Sequence, residues 1–269
     1  MNICVIIPAA GSSRRYNQAG DPLGGDRSKL DEDLGGRPVL QRTVELFTTR
    51  DEVGSIVVAG PHDDEAFAAF EMRHGDRLRM LGVTICRGGA DARWQSVKAA
   101  LAHVPDDATH VAVHDAARPV TPPEVIDRVF AAAAHHDALI PVVDVSDTLK
   151  RVSAEELEQD ADPFAAILGG DGSGHASGGR RVETTIDRER VVSVQTPQVF
   201  EREALTRAYA QDDLSSTDDA GLMERLGVSV IAVDGDPVNL KLTRREDLPL
   251  VRAIGGGAVA EEGGANQGV

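Results

Sequence analysis

The segment ICVIIPAAGSSRR, residues 3–15, decides the fold, and Lys29 follows it shortly afterwards. Its first five residues form a short apolar run rich in β-branched side chains, which is typical of a buried strand in a parallel sheet. Small residues come next, so the N–H groups of the loop can approach an anion that arginine and lysine then neutralise. The spacing matches neither the dinucleotide fingerprint nor the P-loop. The segment therefore predicts a phosphate site of another kind, at the carboxyl end of a strand.

Strand-like runs alternate with stretches of helical periodicity along the first half of the chain. Such alternation predicts an α/β fold of Rossmann-like form, in which a mostly parallel twisted sheet carries helices on both faces. The predicted strands are 3–7, 55–60, 82–86, 110–114, 138–145 and 228–234, and the predicted helices lie near 38–48, 63–74, 92–103 and 123–135.

Composition limits the partners that this chain can have. The 269 residues carry a formal net charge of −16, which disfavours adhesion to nucleic acid or to an anionic membrane. The apolar start is too short to span a bilayer and follows no basic region, so we expect neither an anchor nor a signal peptide and a cytoplasmic location. Cys4 and Cys86 have no metal-ligand spacing, and we interpret both as core thiols.

The alternation of strands and helices breaks after residue 145. Residues 153–179 contain six acidic residues, six glycines and no lysine or arginine. A segment of this composition cannot bury enough apolar surface to order itself, so we expect a mobile insertion at about 153–181. The stretch from 255 to 269 also has six glycines and predicts a disordered tail.

Two further loops are expected at the same edge of the sheet as the first. Residues 111–119, VAVHDAARP, end a strand with Asp115 and Arg118, and residues 88–96, GGADARWQS, follow another strand and open a helix. In open α/β sheets, ligands bind at the carboxyl ends of the strands. Asp115 suits a ribose hydroxyl, a metal or a substrate hydroxyl, and Arg118 suits a phosphate. A capping aspartate and a surface arginine are the alternative interpretation of this pair.

His114 lies beside Asp115 and invites a catalytic interpretation. No second metal ligand lies at a useful spacing, and the histidine ends a buried strand. We therefore expect a structural residue whose hydrogen bonds orient Asp115.

Several weaker motifs follow in order along the chain: DTLK at 147–150, Arg188, TPQ at 196–198, STDDA at 216–220 and NLKLT at 239–243. Together with HDAARP and PAAG, this order resembles one family closely, the 2-C-methyl-D-erythritol 4-phosphate cytidylyltransferases. The resemblance extends from about residue 3 to 253, except for the insertion. PAAG alone is shared by many sugar-phosphate nucleotidylyltransferases, whereas the combination of the other motifs is far narrower.

The resemblance implies a nucleotidyltransferase fold and an enzyme that transfers CMP from CTP to methylerythritol phosphate, releasing pyrophosphate. It implies a divalent cation, usually Mg²⁺, for which no ligands are assigned here. It also implies a single domain over 1–254 with an extended arm at about 144–190, through which two copies form a homodimer. The insertion lies within this arm, and we expect its deletion over 155–178 to leave turnover and dimerisation largely intact.

The family's functional residues are carried over by motif position. The expected catalytic residues are Arg15, Lys29 and Lys241. Around the nucleotide we expect Pro8, Ala9, Ala10, Gly11, Asp91, Ser96 and Asp115. Around the acceptor we expect Asp115, Arg118, Thr148, Arg188, Thr217 and Lys241.

Family members usually have a proline before the lysine, whereas here the run is SKLDED over residues 28–33. Carboxylates at Asp31, Glu32 and Asp33 would moderate the attraction of Lys29 for phosphate. Two other functions therefore stay open: a cytidylyltransferase for another polyol phosphate such as ribitol 5-phosphate, and an inactive nucleotide-binding module. A Rossmann dehydrogenase is excluded because the first loop lacks the glycine spacing and no acid ends the second strand.

Overall fold

A mixed, mostly parallel β-sheet forms the centre of the protein, as seen in a computed structural model that describes residues 1–18, 27–156 and 179–262, the last seven by their backbone alone. This confirms the predicted α/β fold. The strands are β1 (Ile3–Pro8), β2 (Val53–Gly60), β3 (Thr84–Arg87), β4 (His110–Val113), β5 (Ala138–Asp144), β6 (Leu149–Glu156), β7 (Arg180–Ile186), β8 (Val192–Val194), β9 (Gln198–Glu201) and β10 (Ile231–Asp234).

The order β10-β5-β9-β4-β1-β2-β3 places the first strand near the middle of the sheet. β1 is parallel to both β2 and β4, so the loops after β1 and β4 emerge side by side. The sequence analysis did not predict β9, which inserts antiparallel between β4 and β5. Its insertion brings the TPQ motif to the end of β4.

Helices cover both faces of the sheet. They are α1 (Arg14–Asn17), α2 (Val39–Glu45), α3 (Asp64–Phe70), α4 (Asp76–Met80), α5 (Arg93–Leu101), α6 (Pro123–Ala133), α7 (Arg202–Ala208), α8 (Ala220–Arg225) and α9 (Leu248–Glu262). A π-helical turn, Glu71–Gly75, joins α3 to α4 where the periodicity predicted one continuous helix. None of the helices in the described part of the chain is long and apolar enough to cross a membrane.

The alternation of side chains along β1 builds two hydrophobic layers. Ile3, Val5 and Ile7 belong to one core cluster, and Cys4 and Ile6 belong to the other. Every one of these side chains is fully buried. Cys86 lies in the same cluster as Cys4, which agrees with the prediction that both are core thiols.

The chain divides into two compact units, one formed by Met1–Val143 with Val194–Val269 and the other by Asp144–Ser193. The bounds of the second unit lie close to those of the predicted arm. Within it, β6 and β7 form an antiparallel ribbon that pairs Leu149 with Ile186 and Glu156 with Arg180. The expected mobile insertion is therefore wrong at 153–156 and 180–181, because backbone pairing orders those residues. The rest of that prediction, 157–178, lies outside the described residues.

The carboxyl-terminal helix also continues beyond the expected point. The backbone of α9 is helical to Glu262, whereas the glycine content predicted disorder from residue 255. Once a helix has formed, each added residue gains a backbone hydrogen bond without a new nucleation cost, and this outweighs the low propensity of glycine. Residues 263–269 lie outside the described residues.

Candidate active site

A cavity of about 490 Å³ lies at the carboxyl ends of β1, β3 and β4. Ten of the residues predicted from the sequence line it: Pro8, Ala9, Ala10, Gly11, Arg15, Lys29, Asp91, Ser96, Asp115 and Lys241. Its lining also includes Arg14 and Arg93, so five basic and two acidic side chains face one space. In a protein of net charge −16 this is a local cationic pocket. Such a pocket suits a polyanionic ligand.

The loop after β1 presents unpaired backbone donors to this cavity. The amide of Ala9 bonds to the Ala59 carbonyl at 2.7 Å and continues the pairing of the sheet. Within the described part of the chain, the amides of Ala10, Gly11 and Ser12 make no hydrogen bond. Ala10 is half-buried, whereas Gly11 and Ser12 are exposed, so these three amides are available to a ligand that enters the cavity.

Ser13 turns the chain from this loop into α1. Its φ of 54° is left-handed, a conformation that favours glycine over residues with a Cβ. The Ser13 hydroxyl accepts a hydrogen bond from the Lys29 amide at 3.2 Å, which gives the serine a use that glycine lacks. Arg14 and Arg15 follow on α1, and both guanidinium groups make no ion pair with any described residue. The cations of α1 are therefore uncommitted.

The loop after β3 approaches the first loop so closely that it needs glycine. A Cβ at Gly88 would lie 2.6 Å from the Gly60 carbonyl oxygen and 3.0 Å from the Ala10 Cβ. The buried Ser96 hydroxyl accepts a hydrogen bond from the Gly89 amide at 3.0 Å and holds the loop against α5. Asp91 lines the cavity and is exposed; the α5 N-terminus is closed instead by Gln95, whose amide oxygen accepts from the Asp91 and Ala92 N–H groups.

Asp115 lies at the floor of the cavity among three cations. Its Oδ2 is 2.8 Å from Lys241 Nζ and 3.2 Å from Arg118 Nε, and its Oδ1 is 3.6 Å from Arg93 Nε. Burial alone would raise the pKa of this carboxyl, but Lys241, Arg93 and Arg118 outweigh that effect and hold it far below its usual range. Asp115 is therefore a permanent anion that organises the surrounding cations.

Lys29 is held between two segments that are distant in sequence. Its Nζ donates to the Leu242 carbonyl at 2.8 Å, next to Lys241. Burial, followed by the repulsion of Lys241, lowers the pKa of Lys29 from 10.5 to about 8. An anion bound in the cavity would therefore stabilise the charged form of Lys29, which burial and Lys241 disfavour.

The three acids that follow Lys29 do not turn toward it. Asp31 accepts from the buried His74 Nε2 at 2.7 Å and from Arg73 at 2.8 Å. Glu32 lies 3.6 Å from Arg252, and Asp33 accepts from the Gly36 amide at 3.3 Å. Each carboxylate therefore contacts a described group other than Lys29, which does not support the expectation that the three acids moderate its charge.

His114 has the structural surroundings that the sequence predicted. It is fully buried, and burial lowers its pKa to about 4, so the ring is neutral near pH 7. Its Nδ1 lies 3.2 Å from the Thr196 hydroxyl, and its Nε2 lies 3.2 Å from the Arg118 carbonyl. The same hydroxyl accepts the Asp115 amide at 3.0 Å. His114 and the backbone of Asp115 therefore share the Thr196 hydroxyl of the TPQ motif, and this contact holds Asp115 in position.

Arg118 is not part of the lining of this cavity. It is buried, with its Nε on Asp115 and its Nη1 2.6 Å from the Asn239 carbonyl. The Asn239 side chain donates to the Thr196 carbonyl at 2.9 Å and accepts from the Thr121 hydroxyl at 2.8 Å. These contacts fix the segment that carries Lys241.

The remaining predicted acceptor residues are not brought to the cavity lining. Thr217 is exposed in the segment before α8. Thr148 and Arg188 are exposed in the second compact unit, where the Arg188 guanidinium donates to the Val145 carbonyl at 3.3 Å.

The sequence analysis quoted Arg93 and Asp219 within motifs but gave neither a role. Arg93 lines the cavity and donates to Asp219 Oδ2 at 2.6 Å. The two residues are 126 positions apart, so no local pattern could have linked them. The one usable signal was the position of Arg93 in a loop at the same sheet edge.

The described residues contain no cluster of three histidine, cysteine, aspartate or glutamate side chains suited to a metal ion. The carboxylates in the cavity lining are Asp91 and Asp115. Mg²⁺ is commonly bound by one or two carboxylates together with substrate phosphates and water, so this donor set fits a cation that arrives largely bound to a nucleotide.

Comparison with known proteins agrees with this geometry. Residues 3–162 and 171–255 match the model of the family "2-C-methyl-D-erythritol 4-phosphate cytidylyltransferase", and the gap in the match falls within the predicted insertion. A protein of that name from Frankia casuarinae is 42% identical over 253 residues, which cover 94% of this chain and 80% of the relative. One from Rhodococcus jostii is 38% identical and covers 94% of each chain.

The fold is shared with solved structures as well. The crystal structure of 2-C-methyl-D-erythritol 4-phosphate cytidylyltransferase from Thermus thermophilus aligns with a TM-score of 0.68 and 28% identity, covering 95% of this chain and all of that one. Another structure, titled 4-diphosphocytidyl-2C-methyl-D-erythritol synthase, aligns with a TM-score of 0.67 and 26% identity. The matched family model and the identity of the relatives together show that this chain belongs to the 2-C-methyl-D-erythritol 4-phosphate cytidylyltransferase family.

Proposed function

We propose that this protein transfers the cytidylyl group of CTP to 2-C-methyl-D-erythritol 4-phosphate. An oxygen of the acceptor phosphate forms a bond to the α-phosphorus of CTP, and the bond from that phosphorus to the bridging oxygen breaks, which releases pyrophosphate. The observation that carries the proposal is the cationic cavity, in which free loop amides, Arg15, Lys29 and Lys241 surround one space.

The nucleoside would occupy the side of the cavity formed by the two small-residue loops. The small residues 8–11 on one side and Gly89 and Ala90 on the other would suit a flat base, and Ser96 and Asp91 would supply polar contacts. Asp115 would accept a hydrogen bond from a ribose hydroxyl. Because its charge is fixed, it can do so at every physiological pH.

The chemistry needs no general base. A phosphate monoester is already anionic at neutral pH, so the task is to align two anions that repel each other and to stabilise the charge that develops at the α-phosphate and the leaving group. Arg15 pairs with no carboxylate of the residues that the structure describes, and Lys29 is held at a fixed point between Ser13 and Leu242. Donors that are preorganised in this way each contribute about 3 kcal/mol of transition-state stabilisation.

The remaining roles belong to Lys241 and to the residues on the acceptor side of the cavity. Lys241 is bound to Asp115, which aims its ammonium group into the cavity beside Lys29. Arg118 acts through Asp115 and does not contact the acceptor directly. Thr217 would contact the acceptor from the exposed segment before α8.

A divalent cation, most simply Mg²⁺, would accompany the triphosphate. Bound there, it would neutralise phosphate charge and help to orient the leaving group. Asp91, which is exposed in the lining, is the described carboxylate best placed to reach such an ion because Asp115 is already engaged by three cations.

The second compact unit is proposed to make the homodimer and to supply Thr148 and Arg188 to the acceptor. It carries apolar side chains that are exposed in a single chain: Val182 at 56%, and Ile186, Val191 and Val192 at 37% each. Light scattering after size exclusion would give twice the chain mass if this is so. We also propose a cytoplasmic location.

Release of pyrophosphate from CTP tests the proposed reaction. Wild-type protein with methylerythritol phosphate and Mg²⁺ is expected to turn over, and Lys29→Ala and Arg15→Ala are each expected to lose about a hundredfold or more of kcat. Arg79→Ala, an exposed arginine on α4 outside the cavity, is the matched control. Ribitol 5-phosphate in place of the acceptor separates the rival cytidylyltransferase, and an inactive module would show no release with either.

A further inference from the structure

Arg93 contacts both Asp115 in the nucleotide cavity and Asp219 beside the proposed acceptor residue Thr217. It is the first residue of α5, and its side chain lies between Asp115 and Asp219. The Nη1 group donates to Asp219 at 2.6 Å, and the Nε group faces Asp115 at 3.6 Å. One planar guanidinium therefore spans both carboxylates, as the fixed fork of arginine allows.

Asp219 is a carboxylate that is almost completely buried. Its side chain is 1% exposed, and its second oxygen accepts a hydrogen bond from the buried Tyr209 hydroxyl. Burial alone would lower the pKa of Arg93, but the attraction of Asp219 and then of Asp115 outweighs burial and raises it. A buried carboxylate that loses such a partner is strongly destabilised, so the position of Asp219 depends on Arg93.

The segment from Ser215 to Asp219, here named the 215–219 segment, carries Thr217. Two neighbouring residues tether it to different elements. The Gln198 side chain on β9 donates to Asp218 at 2.9 Å, and Arg93 on α5 holds Asp219. Tyr209 also bonds to Asp219, and Arg225 donates to the Ser215 carbonyl at 2.8 Å. Removing Arg93 would therefore take away the cation that pairs with Asp219, two positions after Thr217.

The two carboxylates that Arg93 contacts differ in their dependence on it. Without Arg93, Asp115 still has Lys241 at 2.8 Å and Arg118 at 3.2 Å. Asp219 has no other cationic partner among the described residues. The loss of Arg93 should consequently displace the 215–219 segment and leave the nucleotide side of the cavity nearly unchanged.

We propose that Arg93 is a positioning residue that sets the 215–219 segment, and with it Thr217, against the acceptor side of the nucleotide cavity. The assignment of that side to the acceptor rests on the proposed function.

The test compares Arg93→Gln, Arg93→Lys and Tyr209→Phe with Val129→Ala, a buried truncation on α6 that lowers stability without touching the site. For Arg93→Gln we expect at least a tenfold rise in the KM for methylerythritol phosphate, with the KM for CTP changed by less than threefold. Arg93→Lys keeps the charge and should recover part of the loss. Tyr209→Phe should raise the acceptor KM by a smaller factor, and Val129→Ala should change neither KM.

Hydrogen exchange measured by mass spectrometry supplies a second readout that does not depend on turnover. Amides of residues 213–219 should exchange at least tenfold faster in Arg93→Gln than in wild type, and at the wild-type rate in Val129→Ala. Unchanged exchange in that segment would overturn the inference, as would equal rises in both KM values. A wild-type protein that releases no pyrophosphate while the exchange result holds would refute the proposed function alone.

Discussion

The ionisation of Lys29 should determine how kcat/KM for CTP depends on pH. Its pKa is lowered to about 8, first by burial and then by repulsion from Lys241. In the free enzyme it should therefore lose its proton as the pH rises above 8. Because kcat/KM reports the ionisation of free enzyme and free substrate, kcat/KM for CTP should fall on the alkaline side. At pH 9 about a tenfold loss is expected relative to the plateau.

Lys29→Arg separates this cause from general alkaline inactivation. A guanidinium stays charged throughout the accessible pH range, so the variant should lack the decline of kcat/KM between pH 8 and 9.5 whatever the height of its plateau. The assay is pyrophosphate release at low CTP concentration and saturating acceptor, measured from pH 6.5 to 9.5. An identical alkaline limb in wild type and Lys29→Arg would refute the reasoning, because the ionising group would then be another residue.

The same pKa shift has a consequence for stability. Since the folded pKa of about 8 lies below the ordinary 10.5, the unfolded chain binds more protons between these two values, and the free energy of unfolding should rise with pH across that window. The rise from this group is at most about 3 kcal/mol. Urea unfolding of wild type and Lys29→Met at pH 7.5 and 10 measures it, and a wild-type gain no larger than that of the variant would contradict the assignment.

Three further outcomes follow from the contacts of the site. Asp115→Asn should lower the free energy of unfolding by about 3 kcal/mol and kcat by more than a hundredfold, because it removes the buried anion that Lys241, Arg93 and Arg118 share and leaves the buried Arg118 without its carboxylate; urea unfolding and turnover check this. Asp33→Asn should change kcat/KM by less than twofold, since Gly36 is the one hydrogen-bond partner of this carboxylate among the described residues; a tenfold gain would mean that it does restrain Lys29. Deletion of 155–178 should leave turnover within twofold of wild type and the protein dimeric, and a monomeric or inactive product would overturn that expectation.

Much of the fold could be predicted because its strands carry strong local signals. β1 and β4 are short buried runs, and each is followed by the loop chemistry expected at the edge of a parallel sheet. β9 was missed because it has four residues, runs antiparallel and follows a long excursion of the chain. Its register depends on pairing with β4 and β5, and such nonlocal pairing leaves no local periodicity.

The sequence predicted which residues form the site better than it predicted which partners their side chains contact. The residues of the three loops could be named because motifs keep them together, and their loops meet at one sheet edge. The direction of a side chain could not be read in the same way. Asp31 turns to His74 on the π-helical turn, and Arg118 turns inward to Asn239, because partners far along the chain offer better burial of charge.

The central claim is that the acceptor's own phosphate attacks the α-phosphorus of CTP in this cavity. The most direct measurement uses methylerythritol phosphate labelled with ¹⁸O in its phosphate group and follows the label by mass spectrometry. The account predicts that all of the label remains in 4-diphosphocytidyl-2-C-methyl-D-erythritol and that the pyrophosphate is unlabelled, with product formation reduced about a hundredfold in Lys29→Ala. Labelled pyrophosphate, or no cytidylyl product from the wild-type protein, would contradict it.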